Sequence, residues 1–374
     1  MKINKLPWYL GLLFVASTCF AQTVTTFDVP NSKNTVPQAN NLFGQITGYY
    51  QDVNFIVHGF LRRPNGTFIT FDAPSSNGTY ATSINDWGEI TGYYSGADNH
   101  SHGFVRQKNG KIITFDAPNS PDPLFPDLCE WQTTDTSGEA INLAGQVAGI
   151  VRQRHVGTGS LGCAGLQYQG FLRNQDGTII NFSIPFAVGA FAEFVGAHAI
   201  NLRGQIAGEV QYLDISSVPT GGFLRQPDGT ITTFFDFDDT DRPWCRVPAI
   251  NLFGQITGFY HTGDSGNPLH GFLRQPNGTI VTFDPTGSID TEATSINDFG
   301  QITGYYGTST GSYPSVYHGF VRQRNGAITT FDVPGAATGN QGGTFPRDIS
   351  LGGDITGYYQ DANLVLHGFI FSAH

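Results

Sequence analysis

Short segments rich in Val, Ile, Thr, Tyr and Phe, each closed by a Gly-containing turn, follow one another along almost the whole chain. Such segments predict short strands, and helical periodicity is absent throughout. One pattern recurs. Its clearest copy reads ATSINDWGEITGYY, then a loop, then HGFVRQKNGKIITFDAP, ending at Pro118. The first strand ends at Ile84-Asn85, and an Asp-Trp-Gly turn leads to a second over residues 89–94. A third covers 102–106, and an Asn-Gly turn, a strong hairpin signal, opens a fourth over 111–116. Equivalent turns stand at Asn65-Gly66, Asp176-Gly177, Asp228-Gly229, Asn277-Gly278 and Asn325-Gly326.

The turn glycines Gly44, Gly88, Gly145, Gly204, Gly254, Gly300 and Gly353 mark seven copies, spaced by 44, 57, 59, 50, 46 and 53 residues. A propeller blade takes about 40 to 50 residues. The spacing therefore predicts an all-β, seven-bladed β-propeller with four antiparallel strands per blade, forming a single domain over residues 22–374. The seventh copy runs from Asp348 through His367-Gly368-Phe369 and stops short of its fourth strand. Residues 24–30, with Thr25-Thr26-Phe27-Asp28-Val29-Pro30, carry the missing piece. An N-terminal strand completing blade seven would remove two open edges and tie the ring.

A His and an Asp recur 14 residues apart: His58 and Asp72, His102 and Asp116, His270 and Asp284, His318 and Asp332. With the turn midway, each pair should face across its hairpin. Where the His is absent the Asp is absent too, as Gln169 with Ser183 and Gly221 with Phe235. Joint gain and loss within one chain suggests contact. His367 would then find its partner in Asp28. Five such pairs read as repeated fasteners rather than acid–base groups, each worth about 0.2–1 kcal/mol.

The alternation of Ile-Asn-x-x-Gly-x-Ile-x-Gly with His-Gly-Phe resembles the HAF-type extracellular repeat proteins of bacteria, whose usual triplet is His-Ala-Phe. The likeness covers nearly all of the chain after residue 21. Gly replaces Ala here, and Arg stands where an aromatic commonly follows. The resemblance implies an exported bacterial protein with β-propeller-like repeats. It brings no established activity.

The beginning of the chain agrees with export. Lys2 and Lys5, an apolar stretch over 6–20 and a small residue, Ala21, read as a signal peptide over 1–21. That stretch is shorter than the roughly 20 residues of a spanning helix, so the mature chain is expected outside the membrane, secreted or periplasmic, and monomeric. Charged residues make up only 13% of the chain and aromatics another 13%, with 48 glycines, a composition of strands and turns rather than disorder. A net charge of −11 with no basic cluster excludes a general nucleic-acid binder. Cleavage would leave Cys129, Cys163 and Cys245, of which Cys129 and Cys163 flank the third copy and form the expected loop staple.

Residues present in every copy read as structure. Glycines 48, 92, 149, 208, 258, 304 and 357 would admit a neighbouring sheet. Phe60 and its equivalents would pack between blades, and the Arg series from Arg62 to Arg322 would anchor hairpin ends or form a solvated rim. Residues that break the repeat are the functional candidates. Three positions before the recurring Asn stand Gln38, Thr82, Glu139, His198, Pro248, Thr294 and Arg347. Glu139, His198 and Arg347 would share the channel mouth, with Glu209 where other copies have Tyr, Ile or Phe, a costly place for a carboxylate without a partner. The run Asp236, Asp238, Asp239 and Asp241 offers oxygen ligands for calcium but lacks the Gly and distal Glu of an EF-hand loop. No catalytic residue, other metal site or cofactor is indicated. The expected function is a non-catalytic exported module presenting its loop-rich face to a glycan, cell-surface component or protein. The alternatives are a carbohydrate-active lyase or glycosidase using acids at the channel mouth, and a purely structural envelope protein.

Overall fold

The computed structural model describes residues 22–121, 129–157, 165–184, 194–211, 221–234, 244–261, 268–309, 316–339 and 342–372. The leading 21 residues, Cys163 and the acidic segment 236–241 lie outside them. Among the described residues there is no helix, and therefore none long and apolar enough to cross a membrane.

The strands fall into four-stranded antiparallel runs. The first is Asn34–Asn40, Ile46–Gln51, Val57–Arg62 and Phe68–Phe71, and the second is Gly78–Ile84, Ile90–Ser95, Ser101–Arg106 and Ile112–Phe115. Later runs begin at Cys129–Ile141, Phe194–Ile200, Trp244–Ile250 and Asp290–Ile296. The last contains Gly342–Ile349, Ile355–Gln360 and Leu366–Ser372, and its fourth strand is Thr23–Phe27. That strand pairs antiparallel with Leu366–Ser372, with Thr26 opposite Phe369 and Phe27 opposite Gly368. Short parallel pairings, Tyr168 with Phe194 and Val316 with Gly342, join neighbouring runs into larger sheets.

Every first strand contains a β-bulge. Pairing with the second strand skips between Pro37 and Ala39, Ala81 and Ser83, Gly138 and Ala140, Ala197 and Ala199, Arg246 and Ala249, Ala293 and Ser295, and Pro346 and Asp348. A bulge leaves a residue unpaired and re-aims its side chain. It also explains the conserved spacing of the second-strand glycines, and corrects the expectation that a neighbouring sheet approaches them. A Cβ on Gly48, Gly92 or Gly208 would collide with the carbonyl oxygen of Val36, Tyr80 or Gly196, the first strand of the same sheet, bent inward at its bulge.

The core lies between runs. Phe60, Phe104, Phe171, Phe223, Phe272, Phe320 and Phe369 are fully buried, each burial contributing about 1.5–3 kcal/mol. The fourth-strand Phe of one run meets the third-strand Phe of the next edge to face, as Phe71 with Phe104 at 6.1 Å and Phe115 with Phe171 at 5.9 Å. Over the same fourth-strand ring lies the next run's Arg: Arg106 over Phe71 at 5.0 Å and Arg322 over Phe283 at 4.9 Å. These arginines are buried, not a solvated rim. The recurring asparagines add a polar belt. The amides of Asn41, Asn85, Asn142, Asn201, Asn251 and Asn297 each donate to the backbone carbonyl of the equivalent residue one run on, at 2.9–3.1 Å, ending at Ser350.

First and last runs touch. Asn40 donates its backbone N–H to Asp348 Oδ2 at 2.9 Å and its amide to the Asp354 carbonyl at 3.0 Å. Arg62 lies 4.7 Å over Phe27.

Candidate functional site

The bulges decide what faces the interior cavity. Gln38, Thr82, Glu139 and His198 are bulge residues of four successive runs, and all four side chains line one cavity of about 700 Å³. Second-strand residues Tyr49, Tyr93, Ile150 and Glu209 line it as well. In a strand, alternate side chains share a face, so Tyr49 and Tyr93 turn inward. Their neighbours Tyr50 and Tyr94 turn outward onto His58 and His102, each pair of rings 5.1 Å apart.

At the centre of the cavity wall is a three-residue cluster. His198 Nε2 lies 2.7 Å from Glu209 Oε1, and His198 Nδ1 lies 4.0 Å from Glu139 Oε2. Glu139 also accepts from the Ser137 hydroxyl at 2.6 Å. Glu209 is almost wholly buried, so the imidazole supplies the partner that its carboxylate requires. Burial opposes a charge on His198, but the Glu209 and Glu139 carboxylates outweigh it and raise its pKa above the ordinary value. The two carboxylates thus favour the charged form of the ring, which bonds to Glu209 and faces Glu139.

Arg347 does not join this cluster. It is a bulge residue of the last run, and its Nη2 donates to the Tyr358 hydroxyl at 3.2 Å with the guanidinium 5.1 Å from that ring. Tyr49, on the cavity wall, lies within electrostatic reach of it. Three of the four expected channel-mouth residues therefore meet, and the fourth stands beyond Tyr49.

The His–Asp pairs sit on the outer hairpins. Nδ1 of His58, His102, His270, His318 and His367 lies 2.8–2.9 Å from Asp72, Asp116, Asp284, Asp332 and Asp28 respectively. The imidazoles stack on the outward tyrosines, and the carboxylates remain half exposed, far in role from the cavity cluster. Cys129 is disulfide-bonded, Cys245 is a buried free thiol whose pKa burial and then Glu209 push up, and no metal-ligand cluster occurs among the described residues. The calcium candidates Asp236, Asp238, Asp239 and Asp241, like Cys163, fall outside the described residues.

Two groups of lining residues escape a search confined to one offset. Tyr80, Ser137 and Arg246 stand two positions before the bulge residue, on the same inner wall, where other copies carry Val36, Gly196, Glu292 and Phe345. Comparing the copies at that second offset would have found them. The others, Asp135, Arg152 and Tyr168, lie in the third copy's extra length, residues 119–137 and 152–169, which from sequence alone reads as loop. The third run instead extends its strands, Cys129–Ile141 against Val147–Gly157 and Leu166–Arg173, into a long arm beside the cavity. Polar side chains staple that arm: Arg152 to Asp135 at 3.2 Å, and buried Gln153 to the Pro118 carbonyl and the Thr133 hydroxyl. Near its end Trp131 stacks on His155 at 4.2 Å.

No protein-family model matches the chain, and no curated protein matches it. Solved structures do. The chain is similar to a streptogramin B lyase structure (11% identity, TM-score 0.54), with 94% of this chain and 98% of that one covered. It is similar to the β-propeller domain of the Trilobed protease from Pyrococcus furiosus (8% identity, TM-score 0.53), covering 93% and 95%. Against the acylaminoacyl peptidase of Pyrococcus horikoshii (9% identity, TM-score 0.60) it covers 92% of itself but only 52% of that chain. At these identities the likeness carries the fold alone: an all-β chain of β-propeller architecture.

Proposed function

We propose that the chain is an exported, seven-bladed β-propeller of the HAF-type repeat class that holds a glycan in the Glu139–His198–Glu209 cavity without turning it over. The ring reading is supported by the four-stranded runs, by the strand Thr23–Phe27 completing the last of them, and by the bonds from Asn40 to Asp348 and Asp354. Export rests on the leader-like first 21 residues.

The observation that carries the binding reading is convergence. Glu139, His198 and Glu209, which break the repeat, gather on one cavity, whereas the Phe, Arg and Asn series that keep it are spent on packing between runs. The chemistry suits a sugar. Tyr80 stacks on Tyr93 at 4.9 Å and meets Tyr49 edge to face at 5.3 Å, so three tyrosines on the cavity wall form one aromatic cluster beside which the C–H face of a pyranose can pack. Glu139, half-buried beside them, presents a carboxylate acceptor for hydroxyl pairs. Glu209 favours binding over catalysis, because it is committed to His198 and to the Val247 N–H rather than to open space.

Calorimetric titration of the full chain with neutral and acidic oligosaccharides tests this. At least one should bind, and Glu139→Gln should weaken it by about 1.5–3 kcal/mol, the worth of a hydrogen bond to a charged group. Chromatography of the same mixtures should return the oligosaccharide intact. A cleaved product would replace the binding module with the carbohydrate-active enzyme; binding indifferent to Glu139 would move the site elsewhere.

A further inference from the structure

The turns between first and second strands, and between third and fourth, lie at one end of every four-stranded run. The cavity lining extends the other way, toward the far strand ends at Ser101, Tyr168 and Gln211. At the turn end, the asparagine belt holds consecutive turns side by side in chain order. Further bonds knit neighbours: Leu42 donates its N–H to Asp86, and Trp87 its indole N–H to the Leu143 carbonyl, at 2.9 and 3.1 Å.

Turn tips usually carry polar residues. Here Leu42, Phe43, Trp87, Leu202, Phe253 and Phe299 stand 47–62% exposed on the inner turns. Turn geometry does not require the rings, because their position is Ala144 in the third run and Gly352 in the last. Together they leave on the order of 500 Å² of apolar surface in one collar. The outer turns, between third and fourth strands, are polar. Arg63, Lys108 and Lys111 stand exposed in the first two runs, Asp176 and Asp228 in the next two. An apolar centre inside a charged rim is the layout of a protein interface. With its rim the collar approaches the roughly 800 Å² per partner of a stable one. The net charge of −11 and the acidic side of the rim oppose a lipid surface, where apolar faces are flanked by Lys and Arg.

We propose that this collar joins two copies of the chain, turn end to turn end, about a twofold axis lying in the interface, in place of the monomer expected from sequence. The register rests on the seven-bladed reading; glycan binding has no part in it. Such an axis reverses the order of the turns. Of the axes a seven-membered ring allows, only the one through the sixth run sets both acidic turns opposite basic ones. It exchanges first with fourth, second with third and fifth with seventh. Arg63 then faces Asp228, and Lys108 and Lys111 face Asp176; only Arg324 meets its like. Large also meets small. Trp87 faces Ala144, Phe253 faces Gly352, Phe43 receives Arg203 on its ring, and Phe299 meets its own copy. Both cavities open outward, at opposite ends of the pair.

Sedimentation velocity of the full chain at micromolar concentrations tests this. The chain should sediment as a dimer. Phe299→Glu, which sets two carboxylates against each other at the axis, should leave a monomer with an unchanged melting temperature. Should that variant not fold, Phe253→Ser must weaken the dimer about tenfold. The rim tests the register. Arg63→Asp and Asp228→Arg should each weaken the dimer about fivefold, because each pair occurs twice, and the double variant should restore it. A monomeric wild type, a dimer indifferent to Phe299 and Phe253, or rim losses that add in the double variant overturn the proposal. So does a monomer that pellets with phosphatidylcholine vesicles through the same rings, which would give the collar to a lipid surface.

Discussion

Two junctions in this molecule perform the same task with different parts. Between the first and second runs, the Asn41 amide donates to the Asn85 carbonyl at 3.1 Å, and Arg106 covers Phe71. Between the last run and the first, the apolar device is kept and the polar one is replaced. Arg62 covers Phe27, and Phe27 lies over Gly368 as Phe71 lies over Gly59. Ser350, however, has no amide to send onward. Asn40 takes over, bonding to Asp348 and Asp354, and Asp348 also accepts from the Ser295 hydroxyl and the Ile349 N–H at 2.6 and 2.9 Å. The difference shows which part of the repeat is transferable. Ring-on-ring packing needs only a Phe at the right height, so a strand from the other end of the chain can provide it. The belt needs continuous register, so the junction has custom bonds.

The harshest way to break the comparison is to remove the borrowed strand. Deleting residues 22–30 would leave Leu366–Ser372 as an open edge with Phe369 uncovered, and the cooperative calorimetric transition should be lost, with association on size exclusion. A milder version is sharper. Phe27→Ala and Phe71→Ala should each cost about 2–4 kcal/mol in urea unfolding. Equal losses would show that the two junctions share one apolar device. A Phe27→Ala loss much below that of Phe71→Ala would mean that the junction does not depend on it.

Next in size is Asp348. At its position other runs carry Ala39, Ala140, Ala199 and Ala249, so Asp348→Ala fits sterically but strands the Asn40 N–H. The expected loss is about 2–3 kcal/mol. Burial raises the Asp348 pKa against the hydrogen bonds that lower it. A carboxyl raised on folding contributes stability that is whole below its unfolded pKa, near 3.8, and is lost as pH rises through the folded one. Wild-type stability should therefore fall over that window relative to Asp348→Asn. A difference between the two that grows in wild-type's favour as pH rises would reverse the sign and refute it.

Much of the architecture was legible because it repeats. The strand spacing, the Asn-Gly turns and the displaced strand at 24–30 follow from comparing copies of the unit, and so does the 14-residue His–Asp offset. The HAF-type resemblance departs at Gly59 and Gly103, and the reason is steric: the rings of Phe71 and Phe115 lie where a Cβ would be. What escaped the sequence was local backbone geometry. A bulge adds one residue to a strand without a compositional mark, and it is the bulge that aims Glu139, His198 and Arg347 inward. The long arm of the third run escaped for a related reason. Its strand faces are held by Gln153, Asp135 and Arg152 rather than by apolar residues, so it carries no hydrophobic signal to distinguish strand from loop.

The smallest effect is also the most discriminating. If the belt is transferable only in register, restoring its missing member should help little, and removing an internal member should cost more. Asn142→Ser would cut the amide bond to the Asn201 carbonyl while keeping a hydroxyl acceptor for the turn, as Ser350 does for the Asp354 N–H at 3.2 Å. About 1–2 kcal/mol should be lost, since the Asn201 carbonyl is buried. Ser350→Asn would offer an amide toward Asn41, but Asn40 already bridges that junction through the Asp354 carbonyl. The gain should stay below about 0.5 kcal/mol. Urea melts of the two single variants and the double decide it: a gain from Ser350→Asn as large as the loss from Asn142→Ser would mean that the junction is an unfinished copy of the others, and that its custom bonds contribute nothing of their own.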